Sequence, residues 1–222
     1  MTRSTAPAPT PPDHRARRAA LPAIVLAGVI VTVLVPLSFP AGGGSTSADL
    51  VLERDIHSGL DAHTWVYRVL LFPSNSYVVL PLLFASAAWF AYRRQWWQAG
   101  FALVAPELVV AVNTFALKPF WDRRLDHYLA YPSGHTVQLV AVVTAFALVA
   151  ESARVRTGTV IVMVAVLPAV MIGMVGFGYH HPTDVLGGTT AAVTLVTALY
   201  LPFRYFTATP VTPPSNTTRP PR

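Results

Sequence analysis

Six apolar stretches constrain this chain more than any other feature. They run over residues 20–39, 77–92, 97–117, 135–150, 159–177 and 185–203. Each is close to the ~20 residues an α-helix needs to cross the hydrocarbon of a bilayer. Inside lipid every backbone N–H and C=O must be satisfied within the segment, so runs of this kind have to be helical. Composition agrees. The chain is 53% hydrophobic and 12% charged, where soluble domains carry about 25% charged residues. One all-α domain of six membrane-spanning helices is therefore expected over residues 19–206. The Pro- and Thr-rich ends, 1–18 and 207–222, lack apolar periodicity and read as disordered tails. Cysteine is absent, which excludes disulfides and thiolate metal sites.

The first stretch follows Arg15, Arg17 and Arg18 and precedes small residues, as a signal peptide would. Its apolar run exceeds the usual signal core of about 7–15 residues, so it reads as a retained helix. The net charge of +6 could suggest a nucleic-acid partner, but the basic residues sit in short segments between the apolar runs. That is the pattern of arginines that set membrane topology. With a cytoplasmic N-terminus, Arg3, Arg15, Arg17, Arg18, Arg93, Arg94, Arg154, Arg156, Arg204, Arg219 and Arg222 fall inside. Only Arg54, Arg68, Lys118, Arg123 and Arg124 fall outside. Both termini are thus expected to be cytoplasmic. In the outer loop 40–76, Leu50, Ile56, Leu60, Trp65, Val69 and Leu70 mix with charged residues. This reads as one or two amphipathic helices at the membrane interface, capped by Ser47 and broken near Gly59.

Three polar segments, 117–124 (LKPFWDRR), 131–136 (YPSGHT) and 179–184 (YHHPTD), all fall on the outer side. His180 and Asp184 are spaced to share a helical face, so the carboxylate can hold the imidazole and fix its tautomer. The other ring nitrogen is then presented as a nucleophile; the bland alternative is an incidental polar pair in a loop. Ser133 and Gly134 precede the fourth span, whose free N–H groups make an anion site, and His135 is placed to give a proton to a leaving oxygen. An ordinary Ser cap is the competing reading. Lys118, Arg123 and Arg124 either snorkel as helix anchors or bind phosphate oxygens.

Together these segments resemble the type 2 phosphatidic acid phosphatase family, which is related to the vanadium haloperoxidases. Its members carry Lys-x6-Arg-Pro, Pro-Ser-Gly-His and Ser-Arg-x5-His-x3-Asp. Pro132-Ser133-Gly134-His135 is complete here, and the third motif keeps His180 and Asp184, followed by Val185-Leu186-Gly187-Gly188. The resemblance implies that His180 attacks phosphorus, Asp184 orients it and His135 protonates the leaving group. It also implies that Lys118, Ser133 and the Gly134 amide bind oxygens, and that no metal or cofactor is needed. Two departures stand out. The first-motif arginine falls on Leu125, and the Ser-Arg of the third motif falls on Gly173-Met174. Arg123 or Arg124 is expected to supply the missing charge.

Other residues carry weaker signals. His181 has the wrong spacing to Asp184 and reads as interfacial, as do His57 and His63. Trp96, Trp97 and Trp121 read as an aromatic belt. Glu107 and Asn113 fall within the third span, where an acidic group is costly and therefore suggestive. The expected activity is removal of phosphate from a lipid: phosphatidic acid, phosphatidylglycerol phosphate or a polyprenyl diphosphate. The alternatives are a phosphotransferase on the same scaffold, a non-catalytic lipid-binding protein, and a transporter using Glu107. The expected partners are the phosphorylated lipid and the surrounding membrane lipids, with no nucleic acid.

Overall fold

The computed structural model describes residues 14–208, with side chains from residue 20 to residue 205. The tails expected at 1–18 and 207–222 lie outside the described residues, save for 14–18 and 207–208, which continue helices. The fold is an all-α bundle. Helix α1 spans His14–Leu34, followed by α2 (Ser47–Leu60), α3 (Thr64–Leu71) and α4 (Ser76–Tyr92). Next come α5 (Trp96–Val112), a π-helical turn (Asn113–Leu117) and α6 (Lys118–Trp121), which run on as one rod. A two-residue hairpin, Arg124–Leu125 against Tyr128–Leu129, leads to α7 (Gly134–Val149), α8 (Ala153–Gly176) and α9 (Pro182–Ala208).

Among the described residues, five helical stretches are long and apolar enough to cross a membrane, and α7 is a shorter apolar helix of 16 residues. Its position explains how a short span suffices. It packs against α9, α5, α8 and α4, and Val137, Leu139, Val140, Ala141, Val142 and Ala145 are buried around its circumference. A helix apolar on all sides belongs in the middle of a bundle, where protein rather than lipid surrounds it. The outer helices show the reverse arrangement, with Leu26, Phe84, Val104, Ile161 and Val164 exposed on their outward faces. Such a surface is stable only against hydrocarbon.

Between the first and second spans lie α2 and α3. The cap of α2 is Thr46, one residue before the expected Ser47. The Thr46 hydroxyl accepts the Asp49 N–H at 3.1 Å, and the Asp49 carboxylate accepts the Thr46 N–H at 2.9 Å. This reciprocal box satisfies two donors that the helix start would otherwise leave free. Helix α3 lies directly on α8. A Cβ added at Gly173 would sit 2.6 Å from the Leu71 nitrogen and 2.8 Å from the Tyr67 carbonyl. Glycine is what lets the two backbones meet there.

Candidate active site

The end of the α5–α6 rod, the hairpin and the starts of α7 and α9 converge at one end of the bundle. The organising residue is Arg123. Asp122 takes a left-handed conformation (φ 41°) at the end of α6, so the chain turns back and Arg123 enters the interior, where it is 1% exposed. Its Nε donates to the Gly43 carbonyl at 2.9 Å. Nη1 donates to Thr183 Oγ1 and Asp184 Oδ1, both at 2.7 Å. Nη2 donates to the Gly44 carbonyl at 2.9 Å and Asp49 Oδ2 at 3.1 Å. The guanidinium also lies 3.8 Å from the centre of the Phe39 ring. An arginine has five N–H donors, and all five are committed here. Arg124 instead lies on the surface, 3.1 Å from Asp122. In this arrangement Arg123 presents no free donor to a phosphate, and Arg124 lies at the surface beside Asp122.

Lys118 is half-buried and donates to the Leu129 carbonyl. Its stem passes Gly134, whose hypothetical Cβ would lie 3.9 Å from Lys118 Cε. Ser133 precedes α7 and is wholly buried. Its N–H donates to the Asp184 carbonyl at 3.0 Å, which joins the second and third polar segments. The close approach of Gly188, whose Cβ would meet the Ser133 carbonyl at 2.8 Å, permits that contact. The Ser133 hydroxyl accepts from Thr136 at 3.1 Å and faces the Met174 sulfur at 3.6 Å.

His135 is exposed and His180 is buried, and their ring centroids stand 6.5 Å apart. His180 Nδ1 lies 3.6 Å from Asp184 Oδ2, too far for a hydrogen bond, and has no other partner. Asp184 is instead occupied by Arg123 on Oδ1 and by the His181 N–H, at 2.9 Å, on Oδ2. Catalytic hydrogen bonds are often long before substrate binds. Tyr128 stands beside His180, ring centroids 6.1 Å apart, and donates its hydroxyl to the Tyr179 carbonyl. Burial pushes the Tyr128 hydroxyl upward in pKa, and the charge of Asp184 adds to the effect. Tyr128 thus stays a donor at neutral pH.

A cavity of about 140 Å³ adjoins these groups, lined by Glu53, His57, Leu125, Val175, Gly178, His180 and His181. Sequence reasoning missed half of its polar wall. His181, expected at the interface, is buried, and its Nδ1 lies 2.6 Å from Glu53 Oε1. Asp49, one helical turn before Glu53, is also buried; it accepts from Thr183 N–H and Oγ1 as well as from Arg123. The available signal was the i,i+4 spacing of these two acids on α2.

Met174 is fully buried against Ser133 and Thr136. Its neighbour Gly173 is fixed by the approach of α3, which leaves no room for a serine side chain. Asn113 is buried, its amide 3.5 Å from the Pro132 carbonyl. Glu107 is exposed on α5. Among the described residues, no cluster of three or more His, Cys, Asp or Glu could hold a metal ion.

Two imidazoles, an ammonium and the N-terminus of a 16-residue helix around one opening can carry out displacement at phosphorus. The reacting nitrogen needs to be about 3–3.5 Å from phosphorus. The proton donor must be within about 2.6–3.2 Å of the leaving oxygen. The His135 and His180 ring centroids are 6.5 Å apart, so both imidazoles can reach one phosphoryl group placed beside them.

A family model described as the PAP2 superfamily matches residues 95–208. No curated protein matches the chain significantly. Among solved structures, the chain is similar to a transmembrane PAP2-type phosphatidylglycerolphosphate phosphatase from Bacillus subtilis. The TM-score is 0.59 at 20% identity, over 84% of this chain and 95% of that one.

Proposed function

The chain belongs to the PAP2 superfamily, and on that premise we propose that it is a membrane lipid phosphatase working through His180. The observation that carries the proposal is the approach of the His135 and His180 rings to 6.5 Å, beside Lys118 and the start of α7. In the reaction, His180 Nε2 forms a bond to phosphorus while the bond to the leaving oxygen breaks. His135 gives its proton to that oxygen, and then takes one from the water that cleaves the phosphohistidine. Lys118 and the backbone N–H groups of Gly134 and His135 balance charge on the phosphoryl oxygens. Asp184 keeps the His180 ring in register, with Arg123 holding Asp184. None of these steps assigns work to a metal.

The arginine distribution supports a site on the extracytoplasmic side with both termini inside. There a headgroup can enter while its tails stay in the bilayer. Phosphatidic acid, phosphatidylglycerol phosphate and polyprenyl diphosphates are the substrates to test, the second because of the Bacillus subtilis neighbour. Purified protein in detergent should release phosphate from at least one of them. His180→Ala should lower release by about a thousandfold or more, as removal of a nucleophile does, with the elution profile unchanged. Full turnover by His180→Ala would end the proposal. That Arg123 has all its donors committed and Arg124 is paired at the surface favours one rival, a lipid-binding protein without turnover. It would be indicated by tight binding of the same lipids with no release.

A further inference from the structure

One side chain of the outer loop reaches the segment that carries the nucleophile. We infer that Glu53 is a positioning residue for His180, acting through His181. The inference rests on the phosphatase reading above and extends it to a residue of α2 that meets no reacting atom.

Helix α9 begins at Pro182, so His181 is the residue just before its first turn. A side chain at that place usually accepts a free backbone N–H of the helix. The His181 ring is directed elsewhere. Its Nδ1 lies 2.6 Å from Glu53 Oε1 and 3.2 Å from Ser45 Oγ, and Ser45 Oγ lies 3.2 Å from Glu53 Oε2. Whichever partner holds the proton, 2.6 Å is at the short end for a nitrogen–oxygen hydrogen bond. The start of α9 is capped the other way round. Asp184 Oδ2 accepts the His181 N–H at 2.9 Å, and that oxygen is the one 3.6 Å from His180 Nδ1. His181 thus joins Glu53, through its ring, to the acceptor His180 needs, through its backbone.

The same helix grips α9 a second time. Asp49, one turn before Glu53, accepts the Thr183 N–H and hydroxyl, both at 2.9 Å. Asp49 is wholly buried and also holds Arg123, so its loss would disturb the whole corner. Glu53 is half-buried, with His181 and Ser45 as its partners. The hold on His181 can therefore be removed with the Asp49 contacts in place. The ring is then free to turn, the direction of the His181 N–H is no longer fixed, and Asp184 Oδ2 shifts relative to the His180 ring. A misplacement of about 1 Å can cost about a hundredfold in rate. Glu53, His180 and His181 also line one cavity, so the competing reading is direct contact between Glu53 and substrate. It predicts a different kinetic pattern.

The test uses the full-length protein in detergent and a lipid phosphate that the wild type hydrolyses. Glu53→Ala should lower kcat by about ten- to a hundredfold. Its KM should stay within about twofold, because substrate meets the same groups. Glu53→Gln, which can accept from or donate to the same ring nitrogen, should bring kcat back to within about fivefold of wild type. His181→Phe should match Glu53→Ala, and the double variant should fall no further than the lower single one. His57→Gln alters the same cavity wall outside this chain of contacts and should keep wild-type kcat. Unchanged kcat in Glu53→Ala, additive losses in the double variant, or a rise in KM alone overturns the inference and leaves the phosphatase reading intact. A loss in His57→Gln as large as in Glu53→Ala does the same. If Glu53→Ala does not elute as folded, His181→Phe carries the test, and unchanged kcat there overturns the inference. No release from any lipid by folded wild type overturns both readings.

Discussion

Replacement of Arg123 separates a structural cation from a ligand-binding one. Arg123→Met preserves much of the stem volume but removes five hydrogen bonds, two of them to carboxylates 2.7 and 3.1 Å away. Breaking a buried ion pair by deleting one partner costs about 3–5 kcal/mol, because the remaining charge is stranded. Two carboxylates are stranded here. Asp49 keeps Thr46 and Thr183 as donors, and Asp184 keeps the His181 N–H, which holds the loss within that range. Arg123→Lys keeps the charge but has three donors for five acceptors. At roughly 0.5–1.5 kcal/mol per lost hydrogen bond, it should cost about 1–3 kcal/mol. Arg124→Ala breaks only an exposed pair and should cost about 0–1 kcal/mol. Unfolding in mixed micelles, followed by tryptophan fluorescence, should rank the variants in that order. If Arg123→Met proves as stable as Arg124→Ala and instead loses affinity for inorganic phosphate, the guanidinium is a ligand group and the burial argument fails.

Two further outcomes follow from the geometry. Gly173→Ser, which restores the residue the resemblance expects, drives a Cβ to within 2.6 Å of the α3 backbone. It should destabilise by about 1–3 kcal/mol in the same unfolding assay; unchanged stability would mean that α3 can withdraw freely. Lys118→Gln removes a half-buried cation beside the start of α7 while leaving a donor for the Leu129 carbonyl. It should lower kcat/KM for lipid phosphate by about a hundred- to a thousandfold, and a loss under tenfold would remove Lys118 from the charge balance.

The spans were legible because a bilayer imposes a length and forbids unsatisfied backbone, and both constraints are local. The His180–Asp184 pair was readable from its i,i+4 spacing and His135 from its place at the start of a span, and the structure brings the two imidazole rings to 6.5 Å. Arg123 was not readable in this way. Nothing near residue 123 indicates that its acceptors come from Gly43, Gly44, Asp49, Thr183 and Asp184, segments brought together only by tertiary folding. For the same reason Asp49 and Glu53 did not stand out among the charged residues of the outer loop. Asp49 and Glu53 turn inward because positive charge and backbone donors await them there, while Leu50 and Val51 turn outward. His181 was misread because its spacing was measured to Asp184, whereas its side-chain partner is Glu53 on another helix.

Under the proposed mechanism, the fixed position of Asp184 determines which group moves when His180 is activated. Both Asp184 oxygens already accept hydrogen bonds, one from Arg123 and one from the His181 backbone, and the carboxylate is fully buried. Each carboxylate oxygen can accept a second hydrogen, so there is capacity for His180 Nδ1 on Oδ2 without displacing His181. The carboxylate cannot approach without breaking its contact with Arg123, which is itself pinned by four other acceptors. The imidazole, held by no hydrogen bond at Nδ1, can. Closing 3.6 Å to the ~2.9 Å of a hydrogen bond is a side-chain rotation. Making it couples a charged substrate at the far nitrogen to a buried carboxylate that is already oriented. Preorganisation of this kind places the rigidity in the ion pairs behind the histidine and leaves the ring as the adjustable part.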